Sequence, residues 1–249
     1  MRAFILVPLY IYPSPNAWTP LLSAARQHPT LEFLVVVNPA NGPGSGSAPD
    51  SNYTEVLQEL RSLPNIKLVG YVYCNWGKRP ETELKADIRG YQAWAGPEGC
   101  DIHIEGIFID EAPAGPEHIQ YMANAAQYVR KTLSSPSTKR TAAIVIYNPG
   151  IFVDQAYYDS ADFIIPFENE AAQWTCEYVQ ENLALLPARL RARSIAVAHT
   201  SNGLDQHTHI VEDAVGKHGF AGHFVTGVPG YTEWCCHWDE YVQHAARVS

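Results

Sequence analysis

Positive charge is scarce in this 249-residue chain: 17 Lys and Arg stand against 26 Asp and Glu, a formal charge of −9. A sequence-independent nucleic-acid binder needs clustered cations to displace counterions from phosphates, so no nucleic-acid partner is expected. An acidic surface keeps a chain soluble, tolerates neutral ligands and attracts cationic ones. Long apolar runs are missing too, and no stretch is long enough to span a bilayer, so no membrane partner is expected. The opening run Met1–Val7 is cut short by Pro8 and Pro13, which makes it a buried strand rather than a signal peptide. The chain is therefore expected to be cytosolic or to have lost a leader.

Ordered cysteine spacing is absent. Cys74, Cys100, Cys176, Cys235 and Cys236 are odd in number and mostly scattered, which excludes a disulfide framework and leaves room for one pair in a secreted protein. Asn52-Tyr53-Thr54 is a glycosylation sequon, a triplet that also arises by chance. Gly42–Gly46 lacks the Lys-Ser/Thr of a phosphate-binding loop and reads as part of a long loop, Asn41–Ser51. His207-Thr208-His209 and the Glu233–His237 cluster have neither H-E-x-x-H nor C-x-x-C spacing, so no metal and no cofactor are expected.

What is present is a regular alternation. Eight short runs rich in Val, Ile and Phe recur at Ala3–Tyr10, Phe33–Asn38, Lys67–Tyr73, Gly106–Asp110, Ala142–Tyr147, Asp162–Phe167, Ser194–His199 and Phe220–Thr226. Their near-continuous apolar character suits strands covered on both faces. Helical patterns intervene near Pro20–Gln27, Tyr53–Leu63, Glu81–Trp94, Glu117–Leu133, Ala172–Leu186, Asp205–His218 and Trp234–Ala246, with a short or broken one near Val153–Tyr158. The clearest is Glu117–Leu133, where Ile119, Met122, Ala126, Val129 and Leu133 form one apolar stripe. A doubly wound open sheet also alternates β and α units, but the first βα turn lacks G-x-G-x-x-G and eight units favour closure. The expectation is one (β/α)₈ TIM barrel, a single monomeric domain over residues 1–249.

Reactive groups of such barrels gather where strands end. The residues there are Tyr10 and Tyr12, Asn38, Tyr71 and Tyr73, Asp110 and Glu111, Tyr147 and Asn148, Glu168, His199 with Thr200, and Thr226. Carboxylates that follow apolar strands are costly unless they join a polar cluster. Alternation along the strand sends Asp110 and Glu111 in different directions unless the chain turns there, so one is expected to be the main inward group. Two carboxyl groups converging from the fourth and sixth strands suit glycosidic cleavage, one protonating the leaving oxygen and one attacking the anomeric carbon or activating water. The competing reading pairs these acids with Arg or uses them as helix caps. Tyr12, Tyr73, Trp76, Trp174, Tyr231 and Trp234 offer faces for sugar rings, although each taken singly also reads as a packing residue. His199 is a candidate for a substrate hydrogen bond.

At these residues the chain resembles the spherulin-4 family (spherulation-specific family 4), which includes fungal secreted glycoside hydrolases that cleave α-1,4-linked N-acetylgalactosamine within galactosaminogalactan. The likeness runs through Val7–Pro13, Val37–Gly44, Gly70–Tyr73, Gly106–Glu111, Tyr147–Gly150 and Phe167-Glu168. It implies a secreted or cell-wall-associated, retaining, endo-acting enzyme with a polysaccharide substrate. Asp110 would be the nucleophile, Glu168 the acid/base and Glu111 a residue that orients its neighbour. In an α-linked 2-acetamido sugar the acetamido group lies on the wrong face to displace the leaving group, so two protein carboxyl groups are needed. A carbohydrate-binding barrel without turnover, or a hydrolase of another polysaccharide, is the alternative.

Overall fold

The computed structural model describes residues 2–94, 101–134, 142–183 and 186–248. Eight parallel strands pair in sequence order and β1 pairs with β8, closing the barrel. They are β1 (Phe4–Leu9), β2 (Phe33–Val37), β3 (Ile66–Tyr73), β4 (Gly106–Asp110), β5 (Ile144–Tyr147), β6 (Phe163–Glu170), β7 (Ser194–His199) and β8 (Gly222–Val225). The expected (β/α)₈ barrel is the fold. Every apolar run became a strand because both of its faces are covered; Val35, Val36 and Val37 are wholly buried. Each such side chain stabilises the fold by roughly 1.5–3 kcal/mol through burial.

The helices are α1 (Thr19–Gln27), α2 (Ser51–Arg61), α3 (Glu81–Ala93), α4 (Ile119–Leu133), α5 (Cys176–Leu183), α6 (Ala188–Arg191), α7 (Leu204–Val211) and α8 (Trp238–Val248). In α4 the expected stripe buries Met122, Ala126, Val129 and Leu133, with Ile119 packed at its edge. Asp50 caps α2, its carboxylate accepting from the Tyr53 N–H at 3.1 Å.

Between β5 and β6 the short or broken helix expected near Val153–Tyr158 is a 3₁₀ segment, Gln155–Asp159, under a cap from Asp154. Three other helical expectations need correction. The expected Ala172–Leu186 helix is broken. A 3₁₀ turn covers Ala171–Gln173, Trp174 leaves helical geometry at ψ 75°, and α5 and α6 follow. The Asp205–His218 helix widens into a π-helical turn over Glu212–Lys217. Helix α8 begins four residues later than the Trp234–Ala246 pattern suggests.

Strand β6 carries the irregularity that matters most. Its pairing to β7 jumps from Ile164–Ser194 to Phe167–Ala196, so one extra residue is inserted around Pro166. Proline has no N–H for the ladder, which makes it a natural place for a bulge.

Candidate active site

Inward and outward faces follow from side-chain partners. Tyr71 stacks on Phe108, its register partner across β3 and β4, inside the barrel; Asp110, two residues beyond Phe108, shares that face. Near the bottom, Phe163 of β6 meets Phe4 of the non-adjacent β1 across the interior, with ring centroids 4.9 Å apart. Four residues later Phe167, which has the same parity, lies outside against Trp174 and Tyr178. The bulge has reversed the alternation. Without it Glu168 would face the helices; with it Glu168 enters the mouth.

Asn148, just past β5, links the two acids. Its Nδ2 donates to Asp110 Oδ1 at 2.7 Å and also to Glu168 Oε2. One nitrogen that touches both oxygens limits their separation to about two hydrogen-bond lengths, roughly 6 Å. The Asn148 backbone is fastened to β4, its N–H donating to Ile109 O at 2.9 Å and its carbonyl accepting from Ala112 N–H at 3.0 Å. The remaining oxygens have phenolic donors: Tyr71 to Asp110 Oδ2 at 2.8 Å and Tyr231 to Glu168 Oε1 at 2.6 Å.

All of these donors are neutral. Burial pushes both carboxyl groups above their ordinary range, opposed for Asp110 by Tyr71, the Glu111 backbone N–H and Asn148. For Glu168 burial again dominates, Tyr231 and Asn148 act against it, and the nearby Asp110 charge raises it further. Three groups thus favour the charge on Asp110, whereas at Glu168 the Asp110 charge adds to burial in raising the carboxyl.

The chain turns sharply after β4. Glu111 adopts φ +51°, a left-handed conformation that non-glycine residues seldom enter. The loop after β3 clamps this turn. Trp76 N–H donates to Glu111 O at 2.7 Å, Cys74 N–H donates to Asp110 O at 3.0 Å, and the buried Cys74 thiol lies 3.3 Å from Asp110 O and 3.2 Å from Glu111 O. The Glu111 side chain is displaced toward the Asn75 backbone N–H, and burial and the Asp110 charge raise its carboxyl.

The other predicted residues divide. Tyr10 reaches the cluster, its ring edge-to-face with Tyr71 and Tyr231 at 5.6 and 5.8 Å. His199 lies beside Tyr231 with centroids 6.4 Å apart and its Nδ1 2.8 Å from the Thr200 hydroxyl. Tyr73 carries the Arg79 guanidinium on its ring at 4.3 Å. Tyr12 and Trp76 stand exposed at the rim, 52% and 56% accessible. Tyr12 donates to Asp50 and accepts from Asn52, each at 3.0 Å. Asn38 braces the loop after β2, accepting the Gly42 N–H at 3.1 Å.

Two predicted residues lie elsewhere. Tyr147 faces outward, its hydroxyl donating to Met122 O of α4 at 2.8 Å, because alternation that brings Asn148 inside sends its neighbour out. Trp174 packs behind β6 on Phe167 and donates to Asp213 at 3.0 Å. Neither side chain reaches the mouth.

Residues 4–245 match the Spherulation-specific family 4. The chain belongs to this family. Spherulin-4 of Physarum polycephalum is 32% identical over 175 residues, covering 70% of this chain and 47% of that protein, so the chain spans about half the length of that curated relative. Sph3 of Aspergillus clavatus, solved in complex with GalNAc, superposes with a TM-score of 0.88 at 30% identity over 98% of each chain. An endo-β-N-acetylglucosaminidase from Cordyceps militaris, at 9% identity, TM-score 0.58, and coverage of 100% of this chain and 92% of its own, shares the barrel fold.

Within this spherulin-4 barrel, Cys74 and Asn75 are site-shaping residues that the strand-end pattern does not single out. No periodicity marks a loop residue that works through its backbone and a buried thiol. Asn148 and Tyr231 were expected to meet substrate, but their polar hydrogens are directed at the carboxylates. Pro166 inside an apolar strand was the one available signal of the bulge.

Proposed function

We infer that this barrel, acting as one catalytic domain, is a glycoside hydrolase that cleaves internal α-1,4-linked N-acetylgalactosamine in a galactosaminogalactan-type polysaccharide, with retention at the anomeric carbon. The observation that carries this reading is the single Asn148 nitrogen shared by Asp110 and Glu168. Retaining enzymes hold their carboxyl groups about 5–5.5 Å apart, and inverting ones about 6.5–9.5 Å to leave room for water. The bridge favours the shorter class. The sugar is supported by family membership and by the GalNAc complex of the Aspergillus relative.

In the first step an Asp110 oxygen attacks the anomeric carbon while Glu168 gives its proton to the departing glycosidic oxygen. In the second, the Glu168 carboxylate takes a proton from water, the water oxygen bonds to the anomeric carbon and the Asp110 ester bond breaks. Proton and charge return to their starting places. Tyr10, Tyr71 and Tyr73 line the mouth, His199 and Asn38 flank it, and Tyr12 and Trp76 present ring faces to sugars further along the polymer. Glu111 orients Asp110 through its backbone N–H. Incubating the protein with galactosaminogalactan and analysing the products by mass spectrometry and anomer-resolved NMR tests the reading. Oligosaccharides released first as the α-anomer are expected; an intact polymer would favour a binding protein, and first release of the β-anomer would overturn retention.

A further inference from the structure

The two oxygens of Glu168 meet different kinds of donor. Oε2 accepts from the Asn148 amide nitrogen, which has hydrogens and no acceptor capacity. Oε1 accepts from the Tyr231 hydroxyl at 2.6 Å, and a phenol both donates and accepts. A proton on Oε2 would face an N–H hydrogen. A proton on Oε1 faces an oxygen whose own hydrogen can rotate aside. We propose that Tyr231 is a positioning residue that carries Glu168 between its two protonation states, donating to the carboxylate and turning its hydroxyl when the acid forms, so that the working proton resides on Oε1.

The surroundings hold Tyr231 for this task. It follows Gly230 (φ +79°) and itself sits at φ +58°, a left-handed geometry that persists where neighbours fix it. Its ring is wedged edge-to-face between Tyr10 and Phe224, each centroid 5.8 Å away. Burial and the two carboxylates keep its own phenol un-ionised far above neutral pH, so its hydrogen is always available. The other groups facing Glu168 are Asp110 from β4, Tyr10 from β1, Tyr71 from β3, Asn148 after β5 and His199 at the end of β7. Asp110 raises the Glu168 carboxyl and His199 lowers it. Tyr231 heads the groups that favour the anion and is alone among them in being able to reverse its hydrogen bond to Oε1.

This role rests on Glu168 being the acid/base, so the test reads Glu168 apart from turnover. In the full chain with ¹³C-labelled glutamate carboxyls, Tyr231→Phe is expected to move the Glu168 titration upward by about one unit. Losing a donor to the anion favours the acid form. The alkaline limb of kcat/KM on galactosaminogalactan oligomers should follow by the same amount, because that limb reports the acid in the free enzyme. Tyr10→Phe, which removes a neighbouring hydroxyl not bonded to Glu168, should leave that titration in place. An unmoved Glu168 titration in Tyr231→Phe, or an equal shift in Tyr10→Phe, would overturn the assignment. A shifted titration in a protein whose wild type leaves the glycan intact would support the Tyr231–Glu168 coupling and refute the hydrolase reading alone.

Discussion

Strands β4 and β6 are flanked by a carboxylate at each end, and the two ends are built on opposite principles. At the bottom, Glu105 precedes β4 and accepts from the Leu68 N–H at 2.7 Å and from Arg61 at 3.0 Å; Asp162 precedes β6 and accepts from the Val145 N–H at 2.8 Å and from Arg130 at 3.0 Å. At the top, Asp110 ends β4 and Glu168 lies two residues before the end of β6, with tyrosines and an asparagine as side-chain donors and, among the described residues, no cation paired to either. A guanidinium would stabilise the charge permanently, which suits a brace. Neutral donors leave the charge partly uncompensated, which suits the proposed roles of attack on carbon and proton exchange. Backbone strain follows the same division. All seven non-glycine residues with positive φ among the described residues, from Asn16 to Tyr231, lie in loops that leave the tops of strands.

The largest expected effects come from the top. Asp110→Asn and Glu168→Gln should each reduce polymer cleavage by about 10³-fold or more, measured as reducing ends released. Melting temperature should stay level or rise in both, because each change removes a buried charge held above its ordinary range. Near-wild-type cleavage by either variant, or a large drop in melting temperature, would erase the contrast with the bottom.

Acidification separates the barrel wall from the mouth. His223 is held neutral by burial, down to about 3, and His207 to about 4. The unfolded chain protonates these rings near pH 6.5, so their contribution is complete above that and drains as pH falls toward 4. With both active, the slope approaches about 2.7 kcal/mol per pH unit. The raised carboxyls of Asp110 and Glu168 work in the opposite sense: their cost is present at neutral pH and is relieved as pH falls through their folded values. Urea melts at pH 7, 6 and 5 should therefore show falling stability, with His223→Gln flattening the slope. A slope unchanged in that variant would show that the wall histidines are not the source.

How much of this was legible depended on which physical signal each residue leaves. The strands show in sequence because burial on both faces selects Val, Ile and Phe, and Asp110 and Glu168 show because they interrupt that selection at a strand end. What stayed hidden depends on one-residue geometry. Tyr147 ends an apolar run and Asn148 follows it, and composition does not say which one alternation sends inward. The insertion around Pro166 decides the direction of Glu168 and also places Phe167 outward to receive Trp174. Tyr231 reaches Glu168 across 63 positions of sequence, a contact that only closure of the barrel creates.

Smaller effects probe the bottom and the outer face. Glu105→Gln and Asp162→Asn should each lower stability by about 1–2 kcal/mol in urea unfolding, the value of a charge-assisted hydrogen bond reduced for partial exposure. Cleavage per folded molecule should remain, since both groups lie a strand's length from the mouth. Tyr147→Phe should cost about 1 kcal/mol by removing one buried hydroxyl bond to α4. It should leave KM for the glycan unaltered, although its two neighbours in the chain, Ile146 and Asn148, point into the barrel. If Tyr147→Phe raised KM several-fold with stability intact, the outward assignment would fail, and with it the alternation that places Asn148 between the two carboxylates.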